Sequence, residues 1–151
     1  GYLLIAPSCA SMTAGLTRPT FTVQANVPAN CLVAAQNIDF GAHGVLNSNV
    51  DATGGVGVTC TPGTAYNIGL DNGLTGTGPT ARRMTLGAGA VIYGLYKDPG
   101  RSQPWGNTGT ERVPGTGAGG AQNVTVYGRV PPQTTPPSGV YSDTVVVTVT
   151  Y

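Results

Sequence analysis

The side chains able to do chemistry are few and scattered. His43 is the single histidine, flanked by Gly41-Ala42 and Gly44. A glycine-flanked loop imidazole is ordinarily solvated, and the position offers no partner for catalysis or metal binding. The acids are Asp39, Asp51, Asp71, Asp98, Asp143 and Glu111. They fall in turns or at strand ends, where Asp is a common turn former. A glycosidase pair needs two carboxyls facing each other across a cleft, and six dispersed acids offer little material for one. Asp71-Asn72-Gly73 lacks the spacing of a calcium loop. Gly115-Thr116-Gly117-Ala118-Gly119-Gly120 lacks the Lys-Ser/Thr ending and the leading strand of a phosphate loop. The expectation is a chain with no catalytic residue, no metal and no cofactor. Asn123-Val124-Thr125 matches a glycosylation sequon, too short a match to carry weight.

The cysteines say more. Cys9, Cys31 and Cys60 allow three pairings. Cys31 and Cys60 each lie at the edge of an alternating segment. A bridge between them would remove about 3–4 kcal/mol of unfolded-state entropy in the loop-closure picture, and would imply an oxidising compartment. The alternative is a pair of free buried thiols. Trp105 stands in a polar segment and reads either as a surface recognition residue or as a lid packed over the edge of the core.

These residues must be carried by strands. Phe21-Thr-Val-Gln-Ala-Asn-Val27 alternates without a break, placing Phe21, Val23, Ala25 and Val27 on one face. Pro19 and Pro28 fence it, and no turn signal folds it onto a neighbour. Further extended stretches are expected at Cys31 to Phe40, Val56 to Cys60, Tyr66 to Leu70, Met84 to Leu86, Val91 to Lys97, Val124 to Val130 and Val140 to Tyr151. In the last, Val145, Val147, Val149 and Tyr151 share one face. Arg101 to Gly120, rich in Gly and polar residues, reads as a long surface excursion. About eight strands and no helix predict an antiparallel sandwich.

Composition agrees. Of 151 residues, 24 are Gly and 12 are Pro, while only 9% are charged. Helix formers such as Glu, Lys and Gln are scarce. A net charge of +1 gives no electrostatic case for nucleic acid or an anionic membrane surface. Tyr2-Leu-Leu-Ile-Ala-Pro7 followed by small residues resembles the tail of a secretory signal, with cleavage sites at Ala10 or Ala14. It is too short to span a membrane. Residues 1–18 are therefore read as a signal remnant or an N-terminal extension.

Taken in order, the landmarks resemble the spore coat protein U family, which includes subunits of archaic chaperone–usher pili such as the Csu pilus. They are Phe21 to Val27, Cys31, Asp39-Phe40-Gly41, Val56-Gly-Val-Thr-Cys60, Tyr93-Gly-Leu-Tyr-Lys-Asp98, Trp105-Gly106, Val126-Tyr-Gly-Arg-Val130 and Gly139 to Tyr151. Residues 1–18, with Cys9, do not fit the family's mature start. The resemblance implies an incomplete immunoglobulin-like antiparallel β-sandwich that a neighbour's N-terminal strand completes. It implies residues 19–28 as the donor strand, with Phe21, Val23, Ala25 and Val27 entering the next subunit's groove. Residues 29–151 are the sandwich, and Cys31–Cys60 the disulfide. Val145, Val147, Val149 and Tyr151 form one groove wall and the chaperone-facing edge. The implied partners are identical subunits in a homopolymer, a periplasmic chaperone and an outer-membrane usher, with no nucleic acid and no membrane span. The implied destination is an extracellular pilus, secreted through the periplasm, for adhesion and biofilm formation; the alternatives are a spore-coat structural protein of the same fold or a secreted carbohydrate-binding β-sandwich module.

Overall fold

A computed structural model describes residues 15–151 of the chain. Eight strands run β1 (Cys31–Gln36), β2 (Val50–Cys60), β3 (Ala65–Leu70), β4 (Arg82–Leu86), β5 (Gly89–Tyr96), β6 (Val113–Thr116), β7 (Ala121–Val130) and β8 (Val147–Thr150). They form an antiparallel immunoglobulin-like sandwich. One sheet has the order β1-β2-β7-β5-β4 and the other β6-β3-β8. No helix among the described residues is long and apolar enough to cross a membrane.

The alternation of the strands builds the core. Val56, Val58 and Cys60 of β2, Tyr66, Ile68 and Leu70 of β3, Val91, Tyr93 and Leu95 of β5, and Val126 and Val130 of β7 are all buried. Each set is spaced by two, or by four in β7, so one face of each strand turns inward. Gly128 of β7 belongs to the same inward face, and a side chain there would run into the Phe40 ring.

Among the described residues the segment Phe21 to Val27 pairs with no strand, and Phe21, Val23 and Val27 are 87%, 85% and 77% exposed. Two expectations need correction. The excursion from Arg101 to Gly120 holds a 3-10 turn at Gly109–Glu111 and the strand β6. Trp105 is neither a surface reader nor a lid at the margin, because it is fully buried in the core. Its indole N–H donates to the carbonyl of Ile68 (3.0 Å) and its backbone N–H to that of Leu95 (2.9 Å). Residues 1–14, with Cys9 and the cleavage sites at Ala10 and Ala14, lie outside the described residues.

Candidate functional site: an open groove beside two free edges

A sandwich of two sheets has four edge strands, and each presents unpaired backbone groups. Here one edge is partly covered and another is short and carries a proline. Along β4, Thr85 pairs with Ser142 through both backbone bonds, at 2.9 and 3.3 Å. The edge of β6 is four residues long and contains Pro114, which has no N–H to offer. The other two, β1 and β8, each have a single strand neighbour, β2 and β3 respectively. They border a groove that no strand among the described residues fills.

The groove lies between Ala35 to Phe40, which continue β1, and Tyr141 to Val147, which lead into β8. Its lower part has a volume of about 520 Å³ and a floor that includes Val56, Leu70, Tyr93, Leu95 and Val126. An upper part of about 780 Å³ adjoins it, floored by Val50, Val91 and Val130 and rimmed by the 41–46 and 135–141 loops. Ile38, Asp39, Phe40, Met84 and Tyr141 belong to both parts, making one continuous trough. Apart from Leu70 of β3, the floor is the inner face of the larger sheet. Val33 of β1 shows what is missing. It is registered opposite Val58, on the same face, yet Val58 is fully buried and Val33 is 48% exposed.

Polar anchors hold the wall at Tyr141 to Val147. Asp143 accepts from the Tyr93 hydroxyl (2.6 Å) and from the backbone N–H groups of Leu74 (3.0 Å) and Thr144 (2.9 Å). Asp71 accepts from the N–H groups of Gly73 and Val146, both at 2.9 Å. Gly73 needs its left-handed φ of 75° for this turn, and a side chain there would strike the Asp143 carboxylate. Burial, together with the bond to Asp143, raises the pKa of Tyr93, so it stays a donor. Beneath sits Arg82, fully buried. Its guanidinium donates to four carbonyls: Asp71 (2.7 Å), Pro79 (2.6 Å), Leu70 (3.2 Å) and Trp105 (2.8 Å). Burial lowers its pKa from the ordinary value, and the neighbouring Tyr93, Asp71 and Asp143 oppose that shift; an arginine remains charged under such pressure.

The residues singled out from sequence fall around this groove in part. Val145 and Val147 line its wall, and Val149 is half-buried against the core. Tyr151 is exposed at the lower end, where its hydroxyl donates to the Asn30 side chain (3.3 Å). Cys31 and Cys60 form a disulfide, bridging the first residue of β1 to the last of β2. Asn30, the residue before it, is fastened to Thr61. Its N–H donates to the threonine hydroxyl (3.1 Å), and its carbonyl accepts from the Thr61 N–H (3.0 Å). His43 rims the upper groove and its Nε2 contacts the Phe40 carbonyl at 2.6 Å. Asp51 pairs with Arg129 at 2.8 and 3.0 Å on the outer face of the larger sheet. Among the described residues no three His, Cys, Asp or Glu side chains gather as a metal site.

Sequence reasoning missed the second wall, Ala35 to Phe40, and the anchors Arg82, Asp71, Asp143 and Tyr93. Asp39-Phe40-Gly41 was visible as a landmark, but nothing in it announces a groove wall. The buried arginine had no local signal, because its four carbonyl partners come from three segments, at Leu70-Asp71, Pro79 and Trp105.

Comparison with known proteins places this geometry. Residues 17–148 match the Spore Coat Protein U domain. Protein U of Myxococcus xanthus is 38% identical over 144 residues, covering 84% of this chain and 80% of that protein. A solved relative is a chain of the chaperone–tip adhesion subunit pre-assembly complex, CsuC–CsuE, from the archaic chaperone–usher Csu pili of Acinetobacter baumannii. It superposes with a TM-score of 0.61 at 26% identity, covering 83% of this chain. The chain spans 40% of that solved chain's length.

Proposed function

Because the chain belongs to the Spore Coat Protein U domain family, we propose that it is a structural subunit of an archaic chaperone–usher pilus that polymerises by strand donation. One observation carries this reading. A single chain holds both an apolar trough between two free strand edges and an unpaired strand-like arm with alternating apolar residues. The arm is residues 19–28 and the body residues 29–151. Phe21, Val23, Ala25 and Val27 enter the groove of the next subunit, against Val145, Val147 and Val149 and the free edge of β8. The donated backbone supplies the missing ladder, and its apolar face covers a floor otherwise open to water.

The contact is head-to-tail and does not close on itself, so repetition yields a filament. Before assembly the same groove needs a temporary occupant; a periplasmic chaperone fills that role, and an outer-membrane usher carries the subunit out. The disulfide fits this oxidising route. The role we assign to the extracellular filament is adhesion and biofilm formation.

The test is assembly of the full chain, viewed by electron microscopy and sized in solution. Val23→Asp forces a charge into an apolar trough, at a cost of several kcal/mol, and is expected to abolish filaments. A chain lacking residues 1–28 is expected to stay unpolymerised and to gain stability when a peptide of residues 19–28 is added. Normal filaments from Val23→Asp, or indifference of the truncated chain to the peptide, would sink the proposal. The similarity to Protein U favours a second reading, a coat subunit of the same build. Images of native material showing a sheet or shell instead of isolated filaments would select it.

A further inference from the structure

The strand exchange just proposed leaves the subunit bodies a short tether. Three residues, Pro28-Ala29-Asn30, separate Val27 from Cys31. Asn30 is already fastened to Thr61 by its own N–H and carbonyl. From a donated Val27 to the fixed Asn30, the chain can therefore reach about 10 Å at most. The donor's body must lie against the groove's exit.

The structure also identifies that exit. At the lower end the acceptor's own arm leaves from Asn30, and Tyr151 reaches across to it, so this end is occupied. The upper end is open. It is the wider part of the trough, about 780 Å³. Around it stand Val45, Val140 and Leu86, which are 73%, 84% and 46% exposed. Leu86 lies against Gly139, next to Val140. Three large apolar side chains thus stand in water at the mouth of the groove.

Charge is distributed to match. The upper end comprises residues 41–49, 87–89 and 131–140. The lower end, around the arm's root, comprises residues 28–33, 61–65 and 117–122. Neither contains an Asp, Glu, Lys or Arg. The ion pairs Asp51–Arg129 and Asp51–Arg101 lie between, on the flank of the larger sheet. Protein interfaces exclude charge from their centres; the segments at both ends of the body are uncharged, with Asp39 a carboxylate in the trough between them. Pro28, Ala29, Pro62 and Ala118 are exposed at the lower end and present small apolar surfaces.

We propose that the rim of Val45, Leu86 and Val140 is a seat for a second copy of this chain, receiving the lower end of the subunit that donates the strand. The junction between subunits is then a strand plus an end-to-end contact. The inference rests on the strand-donation reading, and the test separates the two. A photoactivatable benzophenone residue is placed at Val140 of the full chain, and cross-linked peptides are mapped by mass spectrometry, with Val23→Asp as the control for strand exchange. The expected result is a cross-link to the segment 28–30 or 61–64 of another copy, absent with Val23→Asp. In addition, Val45→Asp combined with Val140→Asp is expected to raise the concentration needed for filament growth about tenfold, equivalent to about 1.4 kcal/mol per junction. Filaments that depend on Val23 but give no such cross-link, or cross-links to a co-purifying protein instead, overturn the seat and leave strand donation standing. Filaments indifferent to Val23→Asp overturn both.

Discussion

The two flanks of the sandwich meet the same problem in opposite ways. On the β4 flank, the chain spends its own backbone: Ser142 pairs with Thr85 at the edge, and Arg82 below donates to four carbonyls. On the β1–β8 flank nothing is closed, and Val33 faces water from a core position. The β4 flank shows that this sequence has the means to cover part of an edge. The open one is therefore a feature of the sequence and not a shortage of material. A chain that covers part of the β4 edge, keeps β6 short with a proline, and leaves β1 and β8 beside an apolar trough presents its most accessible strand edges at that trough.

The contrast can be broken experimentally, most conveniently in the Val23→Asp chain, which is not expected to assemble. The largest effect belongs to the β4 flank. Arg82→Met removes every donor from the carbonyl cage while keeping bulk, and is expected to destabilise the body by about 4 kcal/mol in urea unfolding. A change below 1 kcal/mol would mean that the cage is not what holds that flank. Next come the paired valines. Val58→Ala should cost about 2 kcal/mol, whereas Val33→Ala, on the same face, should stay within about 0.5 kcal/mol. When a peptide of residues 19–28 is added, Val33→Ala should weaken its binding about fivefold. Equal costs for the two valines without peptide would show the groove to be already filled.

The smallest effect concerns a site that belongs to neither flank. Hydrogen bonding from Arg129, aided by the charge of Arg101, holds the Asp51 carboxyl below its ordinary value of 3.8. A lowered folded pKa contributes stability above the unfolded value, and that contribution fades as pH falls through the folded one. Asp51→Asn should therefore cost less than about 1 kcal/mol at neutral pH, because the pair is well exposed. The difference from the unsubstituted chain should shrink as pH falls below the ordinary value of 3.8 and through the lowered folded one. It should be the same with and without donor peptide, which acid titrations in both conditions check.

Much of this was legible in the sequence, because period-two alternation is a direct record of which side chains share a face. Ile68 with Leu70, Val126 with Val130, and Val147 with Val149 were all placed by it. What alternation does not record is whether a second layer covers that face. Phe21 to Val27 alternates as cleanly as β7, yet pairs with no strand among the described residues. Val33 carries the same pattern as Val58 and is left in water. The start of β2 was hidden for a different reason: Gly54, Gly55 and Gly57 interrupt the apolar pattern while the ladder to β7 runs on unbroken from Val50 to Thr59. Trp105 sits in a polar stretch and is buried by residues distant in sequence, Ile68 and Leu95 among them, so no local reading could have found it.

The disulfide has a mechanical side. In a filament joined by arms, any pull on the fibre enters each body at Asn30 and arrives next at Cys31. A lone edge strand loaded from its end would peel away from its neighbour one hydrogen-bonded pair at a time. Here the first residue of β1 is covalently tied to the last residue of β2, and β2 is laddered to β7 over ten residues. Tension therefore bypasses the weak margin and is passed to the middle of the larger sheet. There the strands run long and antiparallel, and must slide past one another together before anything gives way.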